Sequence, residues 1–128
     1  MSSILEKIIK NKREEVSYSK RNTSISSLEK SISFERDAYS LKKSIKERSG
    51  IISEFKRKSP SITNINLGAD IVKITNGYEK SNSSGISILT DEIYFGGTSE
   101  DLIKVRDQIT IPILRKAFII DEYQIIES

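Results

Sequence analysis

Over the first fifty residues the apolar positions recur at helical spacing, and beyond them the pattern switches to short apolar runs alternating with helical stretches. Ile4, Leu5, Ile8, Ile9 and Val16 lie at three- and four-residue steps behind Ser2 and Ser3, which predicts a capped helix from Ile4 to Ser19. Ser24 to Ser31, with Ile25, Leu28 and Ile32, predicts a short second helix. Asp37 to Arg48, with Ala38, Leu41 and Ile45, predicts a third that Ser49-Gly50 ends. The remainder reads as strand 51–56, helix 69–80 burying Ile71, Val72 and Ile74, strand 85–90, helix 99–109 with Leu102, Ile103 and Val105 inward, strand 111–118, and a helix starting near Asp121.

Short strands separated by amphipathic helices imply parallel pairing through right-handed crossovers, hence an α/β fold with strand order 51–56, 85–90, 111–118. The pattern alone leaves an open doubly wound sheet and a closed barrel both standing.

Charge enters at two of the strands. In Ile51-Ile52-Ser53-Glu54-Phe55-Lys56 the period of two puts Ile52, Glu54 and Lys56 on one side and Ile51, Ser53 and Phe55 on the other. In Ile111 to Phe118 the same period groups Leu114, Lys116 and Phe118. Charges among apolar neighbours need partners, so Glu54, Lys56 and Lys116 are expected to converge at one end of the sheet. The competing reading is a solvated face of an edge strand. Between them Gly85 to Thr90 runs into Asp91-Glu92 and Gly96-Gly97, where a catalytic loop would follow a strand, although the glycine pair reads first as a turn. Arg57 and Lys58 read as solvated, and Ser59 and Ser61 as turn formers.

Composition narrows the chemistry. There is no Cys and no His, so a disulfide framework and a thiolate or imidazole metal site are excluded, and acid-base work falls to Lys, Glu, Asp or Tyr. No run of 18 apolar residues spans a membrane, and Met1 to Lys10 lacks the features of a signal peptide, so a cytoplasmic protein is expected. The net charge of +3 hides an asymmetry: residues 1–60 hold 15 Lys and Arg against 8 Asp and Glu, residues 61–128 hold 6 against 10. A basic half fits an anionic ligand. With Tyr18, Phe34, Tyr39 and Phe55 scattered and no stacking motif, a phosphorylated small molecule is expected rather than nucleic acid.

Three segments together resemble the indole-3-glycerol phosphate synthase family. They are Ile52 to Lys56 with Ser59-Pro60-Ser61; Ser87, Leu89-Thr90-Asp91 and Tyr94-Phe95-Gly96-Gly97; and Ile111-Pro112-Ile113-Leu114-Arg115-Lys116-Ala117-Phe118 with Tyr123-Gln124. The resemblance runs from about Ile4 to the end. It implies a partial (β/α)8 TIM barrel of the ribulose-phosphate binding type. Residues 1–50 would be the N-terminal helical extension and residues 51–128 the first three βα units, with the site at the C-terminal ends of the strands.

The implied reaction is ring closure and decarboxylation of 1-(2-carboxyphenylamino)-1-deoxyribulose 5-phosphate in tryptophan biosynthesis, with no metal or organic cofactor. By resemblance Lys116 is the general acid, Lys56 binds the substrate carboxylate or phosphate and acts in dehydration, and Glu54 sets their positions. Ser59, Pro60, Phe95 and Phe118 line the substrate. The family is about twice as long and carries its general-base glutamate and most phosphate loops in the second half. This chain is therefore expected to be inactive alone and to self-associate through exposed sheet edges. Ala117 departs from the family's aspartate and favours a second reading, a non-catalytic fragment or degenerate barrel that binds or assembles. A third, a related barrel isomerase such as phosphoribosylanthranilate isomerase, is opposed by the Glu54/Lys56 and Arg115-Lys116 motifs.

Overall fold

The computed structural model describes residues 1–128. Its elements in chain order are α1 (Ile4–Asn22), α2 (Ile25–Glu29), α3 (Leu41–Glu47), β1 (Ile52–Phe55), α4 (Ile71–Lys80), β2 (Gly85–Leu89), α5 (Glu92–Phe95), α6 (Ser99–Arg106), β3 (Ile113–Lys116) and α7 (Tyr123–Glu127). They fall into two compact units, one of Met1–Asp37 with Phe118–Ser128, the other of Ala38–Ala117. No helix is long and apolar enough to cross a membrane.

In the first unit α1 begins at a capping box: the Ser3 hydroxyl accepts from the Glu6 N–H and the Glu6 carboxylate accepts from the Ser3 N–H, each at 3.2 Å. The helix buries Ile8 and Val16 as its spacing predicts, and also Lys12, which pairs with Glu15. Ile4 and Leu5 stay half exposed. The helix runs three residues past Ser19. At its C-terminal end the buried Tyr123 hydroxyl of α7 lies within hydrogen-bond reach of the carbonyls of Ser19 (3.2 Å) and Thr23 (2.9 Å). Lys20 Nζ adds an ion pair to Asp121 at 2.6 Å.

The second unit holds a three-stranded sheet in the order β1-β2-β3, parallel throughout. This is the arrangement of three successive units of a TIM barrel. Glu54 pairs in register with Ser87, and Ser87 with Leu114. One face packs against the helices: Phe55, Ile86 and Ile88 form a core with Ile71, Val105, Ile109 and Ile111, flanked by Ala69, Val72, Ile74, Tyr78 and Ile113. Each fully buried side chain of this size contributes about 1.5–3 kcal/mol, so this face holds the unit together. The opposite face carries Ile52, Glu54, Ser87, Leu89, Leu114 and Lys116, with Ile52 (39%) and Leu114 (44%) still exposed.

Several elements differ from the sequence reading, each for a local reason. The third helix starts at Leu41, because the Ser40 side chain caps it by accepting from the Lys43 N–H. Tyr39 lies outside that helix, under the Arg106 guanidinium. Within α3 the buried residue is Ser44, whose hydroxyl donates to the Ser84 carbonyl, whereas Ile45 is exposed. On α6 the inward stripe is Asp101 and Val105, continued past the end of the helix by Ile109, and Ile103 points to solvent at 63% exposure. Strands β1 and β3 are also shorter than their apolar runs, ending at Phe55 and Lys116.

Candidate active site

At the C-terminal ends of the strands, Glu54 is the centre of an ion trio. Its Oε1 lies 3.1 Å from Lys56 Nζ and its Oε2 lies 2.7 Å from Lys116 Nζ, so each lysine takes its own carboxylate oxygen. The Ser87 hydroxyl adds a third contact to Oε2 at 3.3 Å. The trio sits on a half-open face, its side chains exposed by 30% (Glu54), 33% (Lys56) and 47% (Lys116). It is therefore not the buried ion pair that the apolar neighbours suggest, and it remains open to a ligand. Burial pushes the Glu54 carboxyl up, but the Lys116 and Lys56 ammoniums outweigh that and hold it below its usual range. Two ammoniums against one carboxylate leave the trio net positive, which suits an anion.

The backbone under these groups is fixed from several sides. Tyr78 of α4 donates to the Glu54 carbonyl (3.1 Å). The Thr90 N–H donates to the Lys116 carbonyl (2.9 Å), and Arg115 Nε donates to the Thr90 hydroxyl (3.2 Å), so the ends of β2 and β3 are tied together. After β2 the buried Asp91 caps α5 by accepting from the Tyr94 N–H at 2.9 Å. Gly96 ends that single turn in the left-handed region, at φ 69°. Gly97 follows so closely on β2 that a Cβ there would stand 1.7 Å from the Leu89 carbonyl oxygen. The glycine pair is thus a turn, built around a helical turn that the sequence reading did not foresee.

Arg57 is the residue the sequence reading misjudged. Only 17% of its side chain is exposed. Its guanidinium forks onto Asp101 (2.5 and 2.9 Å), donates to the Gly96 carbonyl (3.1 Å) and stacks over the Phe55 ring. Its carbonyl accepts from the N–H groups of Ile65 (2.9 Å) and Asn66 (3.0 Å), closing the loop that carries Ser59 and Pro60. Asp101 meanwhile forms the capping box of α6 with Thr98. Burial raises the Asp101 carboxyl, but Arg57 outweighs it and holds the group low; Asp101 in turn raises Arg57. One clamp therefore binds the loop after β1 to the loop after β2. The pattern Thr98-x-x-Asp101 ahead of an apolar helix was a legible sign of half of it.

The remaining expected site residues are placed as follows. Ser59 closes a turn with Ile62, its N–H and hydroxyl both engaged there, and Pro60 is exposed. Phe95 is the half-buried last residue of α5. Phe118 belongs to the first compact unit, where its carbonyl accepts from Gln124 Nε2 at 3.1 Å. Ala117 offers no carboxylate beside Lys116.

The model of the family described as indole-3-glycerol phosphate synthase matches residues 5–128. Curated proteins of that name are similar to the chain. The one from Bacteroides thetaiotaomicron is 43% identical over 129 residues, covering 100% of this chain and 50% of the relative. That from Hyphomonas neptunium is 37% identical over 133 residues, with the same coverage of 100% and 50%. That from Leptospira interrogans is 49% identical over 90 residues, covering 70% of this chain and 36% of the relative. The chain spans about half the length of the first two.

Proposed function

The chain belongs to the indole-3-glycerol phosphate synthase family, and from that premise we propose that it supplies the acid side of the ring-closure site. The substrate is 1-(2-carboxyphenylamino)-1-deoxyribulose 5-phosphate and the products are indole-3-glycerol phosphate, carbon dioxide and water. The observation that carries the reading is the Lys56–Glu54–Lys116 trio at the C-terminal ends of parallel strands.

Carbon–carbon bond formation moves charge onto the ribulose C2 oxygen, and an ammonium placed there both stabilises and protonates it. Lys116 takes that role. Lys56 holds an anionic group of the substrate and serves as acid in the later loss of water. Glu54, bonded to both, sets the distance between them. Ser59, Pro60, Phe95 and Phe118 are assigned to the substrate by the resemblance alone. Decarboxylation is driven by the ring regaining aromaticity, and the work is located in the cytoplasm. The open edges of β1 and β3, with Ile52 and Leu114 exposed, support pairing with a complementary half or with a second copy.

Mixing tests the division of labour. The chain alone is expected to give no indole-glycerol phosphate fluorescence, and the chain mixed with the second half of the Bacteroides thetaiotaomicron relative is expected to give a signal. Activity from the chain alone would show that the division is misplaced. A silent mixture of well-folded halves, unrepaired by Ala117→Asp, would favour the non-catalytic reading.

A further inference from the structure

Glu54 stands on β1 and Lys116 on β3, so their contact crosses the central strand. Neighbouring strands lie about 4.8 Å apart, which places roughly twice that between the two backbones. The bridging carboxylate has to pass over whatever β2 presents at that level. The register makes this residue Ser87, paired with Glu54 on one side and Leu114 on the other. Ser87 is 4% exposed, and its hydroxyl reaches Glu54 Oε2, the oxygen that also holds Lys116.

We infer that Ser87 is a positioning residue for the reaction: it holds the Glu54 carboxylate across β2 while Lys116 leaves it to reach the substrate. Two properties of serine suit the position. It is small, so the carboxylate can cross; a leucine or valine would occupy that path. It also carries a donor, so the oxygen facing the strand keeps a partner when the ammonium moves away. Alanine at this position would leave Oε2 dependent on Lys116 alone. Lys116 would then have to break the only hydrogen bond on that oxygen in order to act as an acid.

The inference rests on the proposed function only for the roles of Glu54 and Lys116. Its test reads the hydrogen bond itself, so its failure would leave that function standing. The charged groups facing the carboxylate are Lys56 from the end of β1 and Lys116 from β3, and both are kept unchanged. The Glu54 side-chain carbon is followed by NMR through an acid titration of the 128-residue chain carrying ¹³C-labelled glutamate, assigned by Glu54→Gln. Ser87→Ala is expected to raise the Glu54 midpoint by roughly half a pH unit, because a donor to the charged form has gone. Ser87→Thr, which keeps the hydroxyl, is expected to return the midpoint to the parent value. If Ser87→Ala does not fold, Ser87→Cys replaces it, being similar in shape and a weaker donor, and must show part of the same rise. A midpoint unmoved in a folded Ala or Cys variant would overturn the inference, as would an equal rise in the Thr variant.

Discussion

Lys116 Nζ lies 2.7 Å from Glu54 Oε2, although the two residues are separated by 62 positions and by a whole strand. On the other oxygen Lys56 makes a contact of 3.1 Å, so a single carboxylate spaces two ammoniums. Two cations placed side by side need such a spacer. Without it the two ammoniums repel each other.

Glu54→Gln should therefore separate function from stability. All three side chains are a third to a half exposed, so solvent screens the pairs and their loss should cost no more than about 1 kcal/mol of folding free energy. Activity of the mixed halves should fall by about a hundredfold or more, since the lysines lose their spacing. Urea unfolding and initial rates on one preparation check both. A large stability loss with little change in rate would make the trio a structural feature.

The clamp behaves differently, because its two members are far less exposed. Arg57→Ala should destabilise the second unit by about 3 kcal/mol, leaving Asp101 buried without its main cation. Asp101→Asn should cost a similar amount and also weakens the α6 cap. The double variant should lose clearly less than the sum, by about 1–2 kcal/mol of coupling. A cycle that closes additively would show that the fork contributes nothing of its own.

How much of this was legible follows from whether a local periodicity marks the residue. The convergence of Glu54, Lys56 and Lys116 was legible because a strand's period of two assigns faces from sequence alone, and two charges at that spacing on apolar strands stand out. Arg57 and Asp101 were not, because neither stands out from a strand or helix period and only the fold brings the two together. Arg57, next in sequence to Lys56 and Lys58, looked like one more solvated cation. The same limit explains Ile103, which has helical spacing with its neighbours but lies off the stripe that Asp101 and Val105 define. The short helix α5 escaped because a single turn has no periodicity to read; only its Asp91 cap and Gly96 stop were present in the sequence.

Acid should weaken the second unit through both carboxylates. Glu54 and Asp101 are held below their ordinary values of 4.5 and 3.8, so the folded state binds these protons less readily than the unfolded chain. Their stabilisation is complete above those values and is lost as pH falls through them toward the lowered ones. Unfolding midpoints should fall steadily below about pH 5, and Asp101→Asn should flatten that fall. A slope unchanged by Asp101→Asn would assign it to other carboxylates.

Two glycines give a matched pair of alanine tests. At Gly97 a Cβ would lie 1.7 Å from the Leu89 carbonyl oxygen and 2.6 Å from its carbon, so main chain must move at the end of β2. Gly97→Ala should cost about 3 kcal/mol. At Gly77, inside α4, nothing lies within 4 Å of the added methyl, and Gly77→Ala should stabilise by about 0.5–1 kcal/mol. Thermal melts that place both variants on the same side of the parent would contradict this account of the turn.

The two lysines should part in steady-state kinetics of the mixed halves. Each is bonded to a different oxygen of Glu54, so removing one leaves the other's contact in place. Lys116→Met keeps a long unbranched apolar side chain and removes the ammonium proposed to meet the developing oxyanion. It should lower kcat by about 10²–10⁴-fold with KM little changed, the pattern of an interaction made only in the transition state. Lys56→Met removes the charge proposed to hold the ground-state substrate as well, so KM should rise with a smaller loss in kcat. Reversal of the two patterns would exchange the roles, making Lys56 the acid for ring closure and Lys116 the anion anchor, with Glu54 still the spacer between them.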